Sequence, residues 1–133
     1  MTTELSNIYR DYIACLNMQD WDSLGRFVQD DVRHNSATLG LNGYRRMLED
    51  NFEQIPDLFF DIDILVVQLS HVAARLWFDV TPKGEFLGLP VNGQKVAFAE
   101  NVFYEFRGGR IQEVWSVIDK AVIENQLRQV RAI

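Results

Sequence analysis

The sequence predicts an α+β domain in which a cone-shaped, curved antiparallel sheet wraps over about three N-terminal helices and a short helix closes the chain. Three observations support this prediction. Apolar residues recur with a helical period of 3.6 before Pro56, alternation with polar residues appears after it, and 133 residues suit one domain. We therefore assign residues 1–133 to a single domain, with the open end of the cone as its natural pocket.

The N-terminal third carries three helical patterns. The first has one apolar stripe, formed by Leu5, Ile8, Tyr12, Ile13 and Leu16. Asp20 is a candidate cap for a short second helix, which would bury Trp21, Leu24, Phe27 and Val28. A third stripe runs from Tyr44 to Ile55, where Pro56 stops it. The segment DDVRHNSATLGLNG, rich in turn formers, is predicted as a loop that carries His34.

Four strand patterns follow the helices. In the first, Phe60, Ile62 and Ile64 alternate with Asp61, Asp63 and Leu65. The later patterns are HVAARLWFDV, KVAFAENVFYEF and RIQEVWSVID. The segment TPKGEFLGLPVNGQ is a long connection, and RGGR is a short hairpin turn between the last two strands. Residues 121–130 are predicted as the closing helix.

Composition and charge exclude several classes of function. The net charge of −6 and the pI of about 4.8 oppose binding to nucleic acid or to an acidic membrane surface. No apolar stretch approaches the ~20 residues that span a bilayer, and the single cysteine fits a thiol-tolerant compartment, so we predict a cytoplasmic protein. Two histidines and one cysteine make no metal-ligand set, and no Gly-rich phosphate loop opens a helix. We therefore predict neither a metal nor a nucleotide site.

The last hairpin offers a geometric test of which side chains share a face of the sheet. With Gly108 and Gly109 as the turn, Glu100 would pair with Val117, and paired residues point to the same side. One face would then hold Phe98, Glu100, Val102, Tyr104, Phe106, Ile111, Trp115, Val117 and Asp119. Two carboxylates on this apolar face are unusual, because burying an unpaired charge is costly. An acid in an apolar cleft is what general acid/base catalysis needs.

The opposite face combines small and apolar residues and lacks the composition of a solvated surface. It would hold Ala97, Ala99, Asn101, Phe103, Val114, Ser116 and Ile118. We therefore predict a homodimer that forms through this outer face of the sheet.

Three segments occur in an order and at a spacing that resemble one known family. They are IPDLFFDIDI, GEFLGLPVNGQKV and GGRIQEVWSVID, and the similarity spans nearly the whole chain. The sequence resembles the SnoaL-like polyketide cyclase (ester cyclase) family, within the wider nuclear-transport-factor-two-like superfamily. The resemblance implies a helix-backed curved sheet of the cystatin-like α+β barrel type, which forms a cone.

The resemblance also implies a chemistry and a catalytic residue. Such cyclases close a ring by intramolecular aldol condensation of a polyketide ester, without a metal or other cofactor. The acid that ends the W-x-x-x-D element, here Trp115 to Asp119, is implied to be their acid/base residue. His34 matches a position where a polar residue often lines the mouth of the cone. Thr81-Pro82 replaces the Thr-His pair of many relatives, which removes one polar pocket group.

Each candidate site residue also has an ordinary structural interpretation. Asp119 can cap the closing helix, Glu100 can lie at a dimer seam, and His34 can be a surface loop residue. Arg75 is either a charge partner for the acid or part of a surface ion pair with an aspartate. The other candidates for lining the pocket are Tyr12, Trp77, Phe98, Val102, Tyr104 and Trp115.

The favoured hypothesis is an enzyme that binds a small hydrophobic carbonyl substrate in the cone. Asp119 would act as acid and base, assisted by Glu100, His34 or Arg75. The alternative is a non-catalytic module of the same fold that binds a small molecule or a partner protein. An isomerase or an epoxide hydrolase would share the acid, and the sequence does not separate them from a cyclase.

Overall fold

The computed structural model describes residues 2–131 and has the α+β architecture that the sequence predicts. The helices are α1 (Thr2–Asn17), a 3-10 helix (Trp21–Arg26), α2 (Gly40–Gln54) and α3 (Lys120–Arg131). The strands are β1 (Val28–His34), β2 (Ala37–Thr38), β3 (Asp61–Gln68), β4 (His71–Val80), β5 (Glu85–Phe86), β6 (Leu89–Pro90), β7 (Val96–Arg107) and β8 (Arg110–Ile118). Six of them form one curved sheet in the order β2-β1-β8-β7-β4-β3, and β5 pairs with β6 in a separate hairpin.

The helices lie where the apolar stripes predict them. The buried residues of α1 are Leu5, Tyr9, Tyr12, Ile13, Cys15 and Leu16. α2 ends at Gln54, and the amide of Ile55 donates to the carbonyl of Asn51 just before Pro56. The predicted second helix is a 3-10 helix, and Asp20 precedes it without a side-chain capping bond. Within residues 2–131, no helix has the length and apolar composition needed to cross a bilayer.

One strand lies where the sequence predicts the end of a helix followed by a loop. β1 pairs in parallel with β8 and antiparallel with β2, so the sheet is mixed rather than purely antiparallel. Val28 and Val32 are fully buried, but Asp30 between them is exposed, and the register shifts between Val28 and Arg33. This irregular spacing obscures the strand period in the sequence. The end of β1 brings His34 beside β8.

A β-bulge in β8 changes the predicted pairing of the last two strands. The turn and its first two pairs are as predicted, but Glu105 pairs with Glu113 rather than with Gln112. β8 therefore contains one extra residue, and each side chain beyond it lies on the opposite face from the one predicted. Glu100 consequently pairs with Ile118.

The bulge exchanges the two predicted faces of β8. Val114, Ser116 and Ile118 lie on the inner face, toward the helices, and not on the outer face. Trp115 and Val117 lie on the outer face, where they are 40% and 70% exposed. Both assignments are wrong for one reason, because the predicted pairing lacks the extra residue. The assignment of β7 is confirmed for its inner residues Phe98, Val102, Tyr104 and Phe106, which are buried; Ala99, predicted for the outer interface, is buried as well, at 4% exposure.

The inner face of the sheet and the helices enclose an aromatic core. The ring of Phe78 lies 5.3 Å from that of Phe60 and 5.3 Å from that of Phe98, which joins the start of β3 to the middle of the sheet. Tyr9 of α1 packs 5.0 Å from Tyr104 of β7. These contacts hold α1 against one end of the sheet and leave a cavity between the sheet and α2.

Candidate active site

The inner face of the sheet encloses a cavity of about 430 Å³. This volume lies within the range of small-molecule sites, roughly 300–1,000 Å³. Its walls come from α1, α2, β1, β7, β8 and the β5–β6 hairpin. The lining residues are Tyr12, Leu16, His34, Asn35, Tyr44, Met47, Leu48, Asn51, Phe60, Phe86, Leu87, Glu100, Val102, Tyr104, Val114, Ser116, Ile118 and Lys120.

Glu100 is the one acidic residue among the described residues of this lining. It points inward because it alternates in step with the buried Phe98 and Val102 of β7. The Ser116 Oγ of β8 donates a hydrogen bond to Glu100 Oε2. Burial raises the pKa of the Glu100 carboxyl, and the hydrogen bond from Ser116 offsets this only in part. The carboxyl group is therefore held in one position with an increased proton affinity.

Two tyrosines, one from α1 and one from α2, meet in the wall of the cavity. The Tyr12 and Tyr44 hydroxyl oxygens are 2.7 Å apart, so one of them donates to the other. Burial is the largest cause that raises the pKa of both hydroxyls, and the Glu100 charge adds to it. Both groups therefore stay protonated at neutral pH. Their shared bond uses one hydrogen, and the second hydrogen remains free for a ligand.

His34 stands at the mouth of the cavity, at the end of β1. Its ring centroid lies 6.3 Å from that of Tyr44 in an edge-on arrangement. Burial lowers the pKa of His34, so its imidazole is neutral at pH 7.

Asn35 connects this mouth to the strand that carries Ser116. It adopts a φ of +46°, in the left-handed region that asparagine tolerates better than most residues. Its Oδ1 accepts from the Ser116 amide at 2.8 Å, and its Nδ2 donates to the Ser116 carbonyl at 3.2 Å. These two bonds fix the backbone of the residue that holds the Glu100 carboxyl group.

The β5–β6 hairpin covers part of the cavity with Phe86 and Leu87. Leu87 and Gly88 both have positive φ values, +54° and +76°, as a two-residue hairpin turn of this kind requires. The Gln54 side chain at the end of α2 donates a hydrogen bond to the Glu85 carbonyl. The hairpin is therefore hydrogen-bonded to α2. It forms a separate two-stranded sheet and does not join the main sheet.

Six of the site residues predicted from the sequence lie at a cavity. Those lining the main cavity are Tyr12, His34, Glu100, Val102 and Tyr104. Phe98 lines a smaller adjoining cavity.

Asp119 does not lie in the cavity. Its side chain is exposed, and its Oδ1 accepts a hydrogen bond from the Val122 amide at 3.3 Å, at the start of α3. This contact is that of a helix cap, the structural alternative that the sequence left open. The prediction that Asp119 faces the pocket together with Trp115 and Val117 is wrong, because the bulge turns their side of β8 outward.

Arg75, Trp77 and Trp115 lie on the outer face, so their predicted contact with a ligand in the cavity is wrong. Arg75 forms an ion pair with Asp63, and its guanidinium carbon lies 5.5 Å from the Trp77 ring centroid. Both residues alternate with the buried Leu76 on β4, and this alternation directs them away from the cavity. Trp115 follows the bulge in β8.

Several polar residues of the cavity are not among the site residues predicted from the sequence. They are Asn35, Tyr44, Asn51, Ser116 and Lys120. The sequence contains a signal for Tyr44 and Asn51, because both fall on the apolar stripe of α2 with Leu48. Polar groups in such a stripe indicate a pocket. The sequence contains no such signal for Ser116, because the bulge determines on which face of β8 this residue lies.

The cavity lining offers few ligands for a metal ion. Within residues 2–131, no group of three or more His, Cys, Asp or Glu side chains is placed to hold one. Structural zinc sites take four such ligands. A mainly apolar lining with a few converging polar groups suits an organic molecule instead.

Comparison with known proteins gives matches over nearly the whole chain. A family model described as SnoaL-like polyketide cyclase matches residues 6–127. The crystal structure of a SnoaL-like polyketide cyclase from Agrobacterium tumefaciens is 53% identical in sequence, with a TM-score of 0.92 over 92% of this chain and 97% of that one. No curated protein matches the sequence.

Two more distant structures share the fold. IdmH from Streptomyces antibioticus, described as a candidate polyketide cyclase, is 20% identical with a TM-score of 0.79, over 92% of this chain and 97% of its own. AclR from Streptomyces galilaeus, described as a candidate hydroxylase, is 21% identical with a TM-score of 0.77, over 97% of this chain and 98% of its own. At these identities the likeness concerns the cone-shaped fold alone.

Proposed function

Because the chain belongs to the SnoaL-like polyketide cyclase family, we propose that it closes a ring in a small hydrophobic carbonyl compound by acid/base catalysis at Glu100. The observation that carries this proposal is the place of Glu100, an acid inside the cavity and bonded to Ser116. Acid/base catalysis is most efficient when the pKa of the group lies near the working pH. Burial raises the pKa of Glu100 in that direction.

The proposed reaction is an intramolecular aldol addition. The Glu100 carboxylate removes a proton from a carbon next to a carbonyl group of the substrate. The resulting enolate carbon attacks a second carbonyl of the same molecule, which forms a carbon–carbon bond and an alkoxide. Glu100, now protonated, returns the proton to the alkoxide oxygen. The product is an isomer of the substrate, and no co-reactant is consumed.

The Tyr12–Tyr44 pair supplies the hydrogen-bond donor for the enolate oxygen. One hydroxyl hydrogen remains free after the two oxygens have bonded to each other. A donor held in place before the reaction stabilises a developing oxyanion by about 3 kcal/mol. His34, which is neutral because burial lowers its pKa, adds a second polar group at the mouth.

Exchange of α-protons for deuterium tests this proposal without the natural substrate. The protein is incubated in D₂O with a panel of ketones and keto esters, and exchange is followed by NMR. Glu100→Gln should lower the catalysed rate at least ~100-fold. Asp119→Asn makes the same chemical change outside the cavity and should keep the wild-type rate. Loss of exchange in Asp119→Asn, with Glu100→Gln unaffected, would overturn the assignment.

A non-catalytic ligand-binding module of the same fold is the second candidate. One observation favours it, because Asp119, the acid that the family resemblance assigns to catalysis, caps α3 at the surface. A binding module would take up ketones, measured by calorimetry, without exchanging their α-protons. Glu100→Gln would then leave their affinity nearly unchanged.

We also propose that two copies of the chain associate through the outer face of the sheet. Two rows of paired residues cross four strands there, Ile64–Arg75–Asn101–Val117 and Val66–Ala73–Phe103–Trp115. Phe103 is 58% exposed, and its neighbours include other large exposed apolar side chains. A contiguous apolar patch is uncommon on a monomer, and a two-fold contact would cover the patch on both copies.

A further inference from the structure

A second, smaller cavity of about 70 Å³ adjoins the main one. We call it the phenylalanine pocket, after four residues of its wall, Phe60, Phe78, Phe86 and Phe98. Its other lining residues are Asn51, Ile55, Leu58, Glu100 and Ile118. The two cavities share part of this wall, including Glu100. The carboxyl group that the proposed reaction uses therefore stands between them.

The wall of the phenylalanine pocket is apolar and closely packed. The Phe78 and Phe98 rings are stacked with their centroids 5.3 Å apart, and the Phe86 ring lies 5.6 Å from Phe98. Phe78 and Phe98 are buried in the core, so their positions are fixed by packing. The polar groups of the described wall belong to Asn51 and Glu100, which both also line the main cavity. The interior of the small pocket thus suits a hydrocarbon group.

The size of the phenylalanine pocket limits what it can hold. A dry apolar cavity of about 150 Å³ holds benzene, with its six carbon atoms. A cavity of about 70 Å³ therefore has room for about three carbon atoms.

We propose that the phenylalanine pocket is a chain-length-selective subsite for a short apolar substituent, about three carbons long, on the carbonyl substrate. This inference deepens the proposed function, on which it rests, by naming the class of substrate. The substituent occupies the small pocket, and the carbon next to it lies at Glu100. The oxygenated part of the molecule then lies in the main cavity, where Tyr12, Tyr44 and Ser116 are placed to meet it.

The experiment uses equilibrium binding of 4-hydroxyphenyl alkyl ketones, a series in which only the alkyl chain changes. Affinity is measured by isothermal titration calorimetry for chains of one to seven carbons. Burial of each methylene in the small pocket should tighten binding roughly fourfold. The gain should stop after about four carbons, because the first chain carbon is the α-carbon at Glu100 and the next three fill the pocket.

Two variants change the size of the small pocket alone. Leu58→Phe fills it and should abolish the gain from chain lengthening, while the shortest ketone still binds as it does to the wild type. Phe78→Leu enlarges it and should move the optimum to a longer chain. Leu58 and Phe78 both line the small pocket and not the main one. Leu89→Phe is the matched control, since Leu89 is half-buried and lines neither cavity; it should keep the wild-type series.

The outcomes separate this inference from the proposed catalysis, because binding needs no turnover. A maximum near four carbons that disappears in Leu58→Phe supports the subsite, even where Glu100→Gln keeps α-proton exchange and the catalytic proposal fails. Affinity that rises steadily to seven carbons, or that is the same in Leu58→Phe and the wild type, overturns it. Failure of every ketone to bind overturns it as well. Circular dichroism establishes that each variant is folded.

Discussion

At the scale of single residues, the site depends on a carboxyl group placed among apolar side chains. Glu100 alternates in step with the core residues of β7, and the hydroxyl of Ser116 is its hydrogen-bond partner. A buried carboxylate costs free energy unless it is paired or protonated, so its pKa rises. The same burial that costs stability gives the group a proton affinity useful for catalysis.

This burial gives a prediction about stability and pH. The folded-state pKa of Glu100 is raised above its usual value of 4.5, so the native state holds the proton more tightly than the unfolded chain does. The resulting stabilisation is fully present below about pH 4.5 and is lost as the pH rises through the folded-state pKa. The free energy of unfolding of the wild type, relative to Glu100→Gln, should therefore be lower at pH 8 than at pH 4. Urea titrations of both proteins measure it, and a difference that does not change with pH would contradict the burial of this acid.

At the scale of secondary structure elements, two irregular strands decide the site. The bulge in β8 brings Ser116 to the inner face and turns Trp115 outward. β1 buries Val28 and Val32 in the core on either side of a register shift, and it ends with His34 at the cavity. α3 begins directly after β8, and Asp119 in between caps it.

The cap gives a prediction about α3. Asp119→Ala should lower the free energy of unfolding by about 1 kcal/mol, because the Val122 amide loses its side-chain acceptor. Asp119→Asn should be nearly neutral, since asparagine caps helices as well as aspartate does. Urea denaturation followed by circular dichroism measures both changes. Equal stability of the alanine and asparagine variants would show that the capping bond contributes nothing.

At the scale of the whole molecule, the curved sheet has two different faces. The inner face encloses the cavity, while the outer face exposes large apolar residues beside the Arg75–Asp63 ion pair. Val117 and Phe103 are the most exposed large apolar residues of this face, at 70% and 58%. Burying their side chains should therefore contribute most to the free energy of association.

The proposed dimer gives a prediction for this outer face. Phe103→Lys places a charge in the apolar row Val66–Ala73–Phe103–Trp115 and should shift the protein from dimer to monomer. Met18→Lys is the matched control, because Met18 is 70% exposed at the end of α1 and belongs to neither row. Sedimentation equilibrium measures the molar mass of each variant. A wild-type protein that is monomeric at micromolar concentration would rule out the interface.

The sequence alone determined the order and type of most elements. The apolar stripes of α1 and α2, the alternation in β4 and β7, and the glycine turn before β8 are local patterns, and local patterns follow from the backbone period of one element. The faces of β7 followed in the same way, which is why Glu100, Val102 and Tyr104 were correctly expected to point inward.

Which side chains of β8 meet Glu100 depends on contacts between strands that are distant in the chain. The bulge at Gln112 arises from the pairing of β7 with β8, and the parallel contact of β1 arises from packing between distant segments. Neither leaves a periodic signal in the sequence. One extra residue reverses every side chain beyond it, and so Ser116 lies in the cavity while Asp119 lies at the surface.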